Sequence, residues 1–515
     1  MVRPRTRRYG HSHQPRRIHL VAPRHPESFW SMQGAVEMFG GKTLMPNAAL
    51  ATLMALTPPD VSVEYSLSDE NIGPLDWNRP ADLVAITGAT LHADRIASLC
   101  RGFRERGLPV ALGGTYATIE ADRCRGLADF HFVGEAEHTW PSFLREWCAG
   151  LPQAVYEQRE HVDLSYSPAP DWSLIDADDY LNLNVQTSRG CPNRCDFCDA
   201  IQYAGRRYRT KSVAQVLAEV ARAHSAGARS VFFSDDNFFG NRRFTEALLD
   251  ALIEWNTQQT RPLSFAAQIT VRIGDDATLL RRFADARFSM LFLGVETVRR
   301  ASLTEVHKEH NLERPLLERI ERISRHGILP FLGLIVGFDH DDTGSFAELL
   351  DFVERSASPI AGISLLNAPP HTPLYDRLAA AGRLREQDFS GEWQLDTNVV
   401  PLKLDRRALL DGYWTLFQRI YQPELFERRL RDWIDGVDYF TERYVNKRFD
   451  PTQLLSLHRM VRYYLLGGPA LRRLFLRSLR HARRTNPSLI RRVFTLLAQY
   501  RHFHDFVNRP LPIKP

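Results

Sequence analysis

Two rhythms of apolar and polar positions alternate along most of this chain. Short apolar runs, IHLVAP (18–23), VSVEYSL (61–67), DLVAIT (82–87), PVALGG (109–114) and FHFVGE (130–135), predict strands. Between them, stretches such as MPNAALATLMALTP (45–58) and LHADRIASLCRGFRERG (91–107) space their apolar residues as amphipathic helices do. This βα alternation predicts a doubly wound, Rossmann-like parallel sheet over residues 18–150, with ligands at the C-terminal strand ends. Gly88, Gly113, Gly114 and Gly134 fall at those ends and allow a ligand to approach closely.

Residues 151–180 lack strong periodicity, contain SPAPDW, and predict an ordered linker. The βα rhythm returns over 181–385. LNVQTS, RSVFFSDD, SFAAQITV, MLFLGVE, FLGLIVGF and ISLLNAPP are six strand candidates, with helical stretches such as SVAQVLAEVARAHSAG between them. Six βα units predict a partial or full barrel whose site lies at the C-terminal strand ends. Strand signal fades over 386–515. LLDGYWTLFQRIYQPELFERRL and ALRRLFLRSLRHARR predict helices, and in the second Leu471, Leu474, Phe475 and Leu479 share one face. The fold class expected is therefore α/β, with a helical C-terminal region.

Composition adds little, because 44% hydrophobic and 25% charged residues are ordinary for a globular chain. The most apolar stretch, ILPFLGLIVGF (328–338), falls short of the ~20 residues of a membrane helix. The basic segment 1–17 lacks the apolar core of a secretory signal and is expected to be disordered. Six cysteines in 515 residues form no disulfide framework, which points to the reducing cytoplasm.

Charge changes the picture more. The net charge of +5 conceals a tail, 451–515, with 13 Lys and Arg against one acid, Asp505. Eight arginines and no acid lie between Leu471 and Arg492. Such a tail suggests a polyanion or an anionic membrane surface as partner, or else a basic face that is simply solvated. An arginine-rich helix with an apolar stripe can lie peripherally on the inner face of a membrane. There is no aromatic-interleaved β surface of an RNA-binding kind, and no nucleic acid partner is expected.

The chemistry is carried by RGCPNRCDFCDA, which sets Cys191, Cys195 and Cys198 at C-x3-C-x2-C just after the first barrel strand. Three thiolates on one loop can hold three irons of a [4Fe–4S] cluster and leave the fourth open. Structural zinc would need a fourth, remote ligand such as His224, and there is no second CxxC. Cys100, Cys124 and Cys148 fall in helical patterns or at a helix end and are expected to be structural.

This loop, with Phe197 as its aromatic residue, resembles that of the radical S-adenosylmethionine (radical SAM) superfamily. The resemblance implies that S-adenosylmethionine binds the open iron and is reductively cleaved to methionine and a 5′-deoxyadenosyl radical. It also implies S-adenosylmethionine contacts from Phe197 and from Ser234, Asp235, Asp236 and Asn237 after the second strand. Gln268, Arg272, Gly294, Glu296, Gly333 and Gly337 complete that implied set, with Arg209 on the same rim.

The N-terminal half resembles the cobalamin-binding domain of the cobalamin-dependent radical SAM class. The matching stretches are RHPESFW (24–30), MPNAALATLMAL (45–56), SDENIGPL (68–75), ADLVAITGA (81–89), ALGGTYAT (111–118) and FVGEAE (132–137). The resemblance implies cobalamin contacts at Asp69, Glu70, Asn71, Thr87, Gly88, Gly113, Gly114, Thr115, Gly134 and Glu135. The D-x-H-x-x-G motif of such domains is absent. SDENIG stands in its expected place, so cobalamin should bind without a histidine from that loop.

From about residue 18 to 430 the chain is similar to a subfamily that includes the bacterial hopanoid methylases, down to APPHTPLYDRLAAAGRL and the helical segment after it. This implies a C-methyltransferase acting on an unactivated sp3 carbon of a lipid or a secondary-metabolite intermediate. One S-adenosylmethionine would methylate cobalamin and a second would supply the radical, with flavodoxin or ferredoxin as electron donor. Three alternatives stay open: a non-methylating radical enzyme, a tRNA methylthiotransferase, and a non-catalytic iron–sulfur protein. A methylthiotransferase would place N-terminal cysteines at strand ends and finish in a small β-barrel, neither of which this pattern predicts.

Overall fold

A computed structural model describes residues 6–9, 14–385, 395–441 and 451–509. The N-terminal sheet has the strand order Thr6–Tyr9, Val63–Asp69, Arg16–Ala22, Leu83–Thr87, Val110–Gly113, Phe130–Val133, Val155–Glu157. All neighbours are parallel except the first pair. Alternate residues serve opposite faces, as strand geometry requires. Leu20 and Ala85 join Leu50, Met54, Trp140 and Phe143 on one side. Val21, Val84 and Ile86 join Ile96, Leu99 and Phe103 on the other. Cys100 and Cys124 are buried in this second layer, and Cys148 packs at the edge of the first.

Two expected boundaries are corrected. The segment 1–17 is not wholly disordered: Thr6–Tyr9 pairs antiparallel with the Val63–Asp69 strand, and Arg16 and Arg17 open the next strand. Residues 1–5 and 10–13 lie outside the described residues. The linker 151–180 is not separate from the first domain, because Val155–Glu157 pairs with His131–Val133 as its seventh strand. The rest of the linker is ordered by three single 3-10 turns. Asp163, Asp171 and Asp176 cap them by accepting the N–H two residues on.

The second sheet holds Leu183–Val185, Ser230–Phe233, Ser264–Ile269, Phe288–Glu296, Leu329–Val336 and Ala361–Leu365, parallel and in chain order. It is the predicted partial barrel, left open between its first and last strands. Aromatic residues from the N-terminal domain pack against the fourth and fifth strands and a C-terminal helix. Trp30 lies 5.3 Å from Phe292 and 5.9 Å from Phe331, and Phe29 lies 5.2 Å from Phe417, centroid to centroid.

The C-terminal helices Arg406–Ile420, Pro423–Gly436, Pro451–Leu466, Pro469–Thr485 and Ile490–Val507 share one continuous core with the barrel. The single helix predicted across 409–430 is two, because Pro423 cannot donate within a helix and starts the second. His502 ties the last helix to the seam: Gly34 N–H donates to its Nδ1 at 3.3 Å, and its Nε2 donates to Phe29 O at 2.7 Å.

The apolar stripe of Pro469–Thr485 is corrected as well. Leu471, Leu474 and Phe475 are buried against the neighbouring helices, while Arg472, Arg473, Arg477 and Arg480 point outward. That stripe holds the helix to the protein and is not free to enter a lipid surface. Among the described residues no helix is long and apolar enough to cross a membrane.

Candidate active site

The cysteine loop is anchored at its root. Ser188–Arg189 pairs antiparallel with Arg209–Thr210, so the chain leaves and returns beside itself. Gly190 turns with φ +89°, and a Cβ there would lie 2.3 Å from Arg207 O, so the turn has room for glycine alone. Cys191 N–H donates to Gly205 O at 3.1 Å, and Asp196 N–H to Val306 O at 3.2 Å.

Asp235 and Asp236, expected to touch S-adenosylmethionine, both bond to this root. Asp235 is buried and accepts from Thr187 N–H (2.8 Å), Thr187 Oγ1 (2.9 Å), Ser188 N–H and Ser188 Oγ (3.1 Å). Burial outweighs these donors and pushes its carboxyl up to about 7. Asp236 accepts the Gly190 N–H at 2.9 Å, yet keeps a face on the cavity described below.

The three thiols are free; Cys195 is buried and the others half-buried. Burial raises all three, Cys198 to about 12, so taking up iron must release protons. Lys308 is the nearby charge that favours the Cys191 and Cys195 thiolates. Burial opposes the charge of Lys308, but Glu296 and Cys195 hold its pKa above the ordinary value. Its Nζ pairs with Glu296 and lies 5.9 Å from the Phe197 ring centroid. Three thiols on one loop beside a buried cation fit an anionic iron–sulfur cluster. Among the described residues no three His, Cys, Asp or Glu side chains gather for a single metal ion.

A cavity of about 1190 Å³ joins the strand ends of the first sheet to the barrel mouth. Glu70, Asn71, Thr87, Gly113, Gly114, Thr115, Gly134 and Glu135 line it from the N-terminal domain. Asn184, Gln186, Arg189, Tyr203, Ser234 and Asp236 line it from the barrel, and His502, Phe506 and Arg509 from the last helix. At Gly114, φ +95°, a Cβ would lie 2.3 Å from Thr87 Oγ1 and 2.9 Å from Gly88 O, so glycine lets these two strand-end loops lie against each other on the cavity wall. Asn184 Oδ1 and Glu219 Oε2, also on the wall, are buried with no protein partner. An unpaired buried acceptor costs about 1–3 kcal/mol, so both suit a ligand that brings donors.

Several expected cobalamin contacts serve the protein itself. Asp69 lies off the wall and accepts from Tyr180 OH at 3.0 Å and Asn71 Nδ2 at 2.7 Å. Gly88, also off the wall, is packed by His92 and Ile96. Glu70 is taken by Arg95 Nε (2.8 Å) and Arg24 N–H (3.2 Å). Glu135 accepts from Arg189 Nη1 (2.7 Å), Arg209 Nη1 (3.0 Å) and Val162 N–H (2.7 Å), and Arg189 Nη2 reaches Glu137 at 2.7 Å. This clamp joins the cobalamin-type domain to the cysteine loop. Replacing Arg189 by leucine strands the buried Glu137 and is expected to cost about 3–5 kcal/mol. Urea unfolding measures it, and an unchanged midpoint would remove the clamp from the account.

The remaining expected S-adenosylmethionine positions sit on the barrel strands or in the segments that follow them. Asn237 Oδ1 accepts from Phe239 and Thr270 N–H, both at 3.3 Å, and is structural. Gln268 is exposed, and Arg272 pairs with Glu313 at 3.3 Å. Glu296 has φ +64°, a left-handed conformation costly for a non-glycine residue. A Cβ on Gly294 would fall 2.8 Å from Lys308 Nζ, and one on Gly333 would fall 2.8 Å from Phe292 Cζ. Gly337 N–H donates to Asp341 Oδ2 at 2.8 Å. Reading the sequence missed Lys308, Glu137, Tyr203, His25, His92 and the buried Lys211–Glu219 pair. His25 and Glu137 lie within the matching stretches RHPESFW and FVGEAE but were not singled out there, and the others become visible only when the fold sets their partners beside them.

A family model of the radical SAM superfamily matches residues 185–353, and a domain of unknown function (DUF4070) matches 372–510. The hopanoid C-2 methylase of Rhodopseudomonas palustris is 33% identical over 424 residues, 80% of this chain and 78% of that one. An uncharacterized methyltransferase of Synechocystis is 32% identical over 412 residues, 78% and 76% of the two chains. Among solved structures, the cobalamin-dependent radical enzyme OxsB with aqua-cobalamin bound superposes with TM-score 0.60 and 15% identity, covering 96% of this chain and 85% of that one.

This is a radical SAM enzyme. More narrowly, the chain belongs to the family of radical SAM methyltransferases that includes hopanoid C-2 methylase.

Proposed function

We propose that this chain is a cobalamin-dependent radical SAM C-methyltransferase that methylates an unactivated sp3 carbon of a polycyclic lipid such as a hopanoid. The shared cavity carries the reading, since it gives a corrinoid and the barrel mouth one common space. When bound, a cluster with S-adenosylmethionine supplies a hydrogen-abstracting radical and cobalamin supplies a methyl group. The protein's part is to hold both sources against one substrate and to limit water. Trp30, Leu44, Met45, Leu53, Leu56 and Phe506 give the wall an apolar character that suits a lipid, and 33% identity to a hopanoid methylase supports the same class. Exposed Arg194, Arg206 and Arg207 beside the cysteine loop suit an acidic electron donor such as flavodoxin or ferredoxin.

The test starts from anaerobically purified, cluster-reconstituted protein expressed with cobalamin supplied. About one cobalamin per chain is expected, followed by transfer of labelled methyl from S-adenosylmethionine to a hopanoid. A chain that cleaves S-adenosylmethionine but carries no cobalamin would replace this reading with a non-methylating radical enzyme: a rearrangement, cyclisation or oxidation.

A further inference from the structure

Two imidazoles meet at the mouth of the N-terminal sheet, and neither belongs to any of the contacts assigned above. His25 follows the Arg16–Ala22 strand, and His92 follows Leu83–Thr87. These strands are neighbours, but the chain goes from the first to Val63–Asp69 on one side before returning to the second on the other. Their two loops therefore part at the topological switch point, where open α/β sheets take their ligands. His25 is exposed, and the surface it exposes is cavity wall. His92 is buried behind it, the ring centroids 4.9 Å apart.

The hydrogen bonds decide which nitrogen of each ring carries its proton. The Ala89 N–H donates to His92 Nδ1 at 3.0 Å, so this Nδ1 must offer a lone pair. Burial lowers the pKa of His92 to about 4 and keeps the ring neutral at pH 7, so its one proton is on Nε2. That Nε2 lies 2.9 Å from His25 Nδ1, which must then accept. With Nδ1 taken as acceptor, the one proton of the His25 ring is left on Nε2, and desolvation beside His92 lowers its pKa in the same sense. The backbone of His25 is fixed as well: its N–H donates to Asn71 Oδ1 at 2.8 Å, and Asn71 Nδ2 donates to Pro23 O at 3.1 Å. Among the described residues no hydrogen-bond partner takes the Nε2–H.

We propose that His25 donates its Nε2–H to an amide carbonyl on the corrin ring of the cofactor, and offers no lone pair to the cobalt. The inference rests on the cobalamin reading above. The relay begins at a backbone N–H, whose direction cannot reverse, so the tautomer of both rings is set by the fold. A histidine stands at the switch point, and the chain has turned its lone pair inward.

The test uses the full-length, cluster-reconstituted chain titrated with hydroxocobalamin and with cobinamide, which keeps the corrin amides but lacks the nucleotide base. His25→Leu is expected to weaken both corrinoids on the order of tenfold, the effect of one lost hydrogen bond. His25→Gln, whose amide N–H reaches the same region, is expected to stay within about threefold of wild type. Electron paramagnetic resonance of wild-type protein loaded with cob(II)inamide is expected to show no nitrogen splitting. A nitrogen-split spectrum that His25→Leu abolishes would make His25 a cobalt ligand and overturn the proposal. Unchanged affinity of His25→Leu for both corrinoids, or weakening confined to cobalamin, would overturn it as well. Failure of the wild type to take up either corrinoid would remove the cofactor reading itself, and this one with it.

Discussion

In the Cys195→Ala chain, formation of 5′-deoxyadenosine falls to background. Cys195 is the buried member of the three cysteines, and the loop carries it into the zone of Lys308 and Glu296. A cluster held by three protein thiolates has no spare ligand, so removing one leaves two of four irons without the protein. Substrate-independent cleavage of S-adenosylmethionine under dithionite isolates this step from methyl transfer, because it needs neither cobalamin nor a methyl acceptor. The chain should keep its fold, since the substitution removes one sulfur from a loop pinned elsewhere by Cys191 N–H, Asp196 N–H and the Asp235 bonds. Circular dichroism checks that point. A Cys195→Ala protein that still yields 5′-deoxyadenosine at the wild-type rate would refute the cluster assignment and, with it, the role of the whole loop.

What the sequence made legible, and what it hid, divides along a physical line. Periodicity reports which face of an element is buried, and eleven expected strands lie where the runs put them, from Arg16–Ala22 to Ala361–Leu365. The cysteine loop was legible because its spacing is local. The partners of buried charges were not, because they come together across long separations. Glu135 was read as a cofactor contact from the GEAE stretch, but Arg189 is 54 residues away and Arg209 is 74 away, and no pattern announces that they converge on it. Asp235 and Asp236 share one local motif and differ in destination. Successive residues leaving a strand point to opposite sides, so one enters the protein while the other retains a face on the cavity. The tail misled for a related reason. An apolar stripe on a basic helix has one pattern whether it meets lipid or protein, and Leu471, Leu474 and Phe475 meet protein.

Asp235 provides the sharper of the stability tests, because two substitutions separate its charge from its bonds. Asp235→Ala leaves two backbone N–H groups and two hydroxyls buried without their acceptor. At about 1–3 kcal/mol for each group left unsatisfied, and with some repaired by rearrangement, a loss on the order of 4 kcal/mol is expected. Because these groups form the root of the cysteine loop, iron retained after reconstitution should fall together with stability. Asp235→Asn keeps an oxygen for the two N–H groups and can donate to Thr187 Oγ1, so it should hold both iron and fold near neutral pH. The pH dependence then reports the charge. Burial pushes the folded carboxyl up to about 7, from an ordinary value of 3.8. Between those values the folded chain keeps a proton that the unfolded chain has released, so the slope of stability against pH is negative there. The stabilising contribution is present in full below the ordinary carboxylate range and is lost as pH rises toward 7. Urea midpoints of wild type minus Asp235→Asn, taken from pH 5 to 8, should therefore decline with rising pH and level off above about 7. A flat difference would mean that the four donors keep the carboxylate ionised throughout, and that the loop is rooted on a buried charge instead of on an acid that gives up its proton near neutrality.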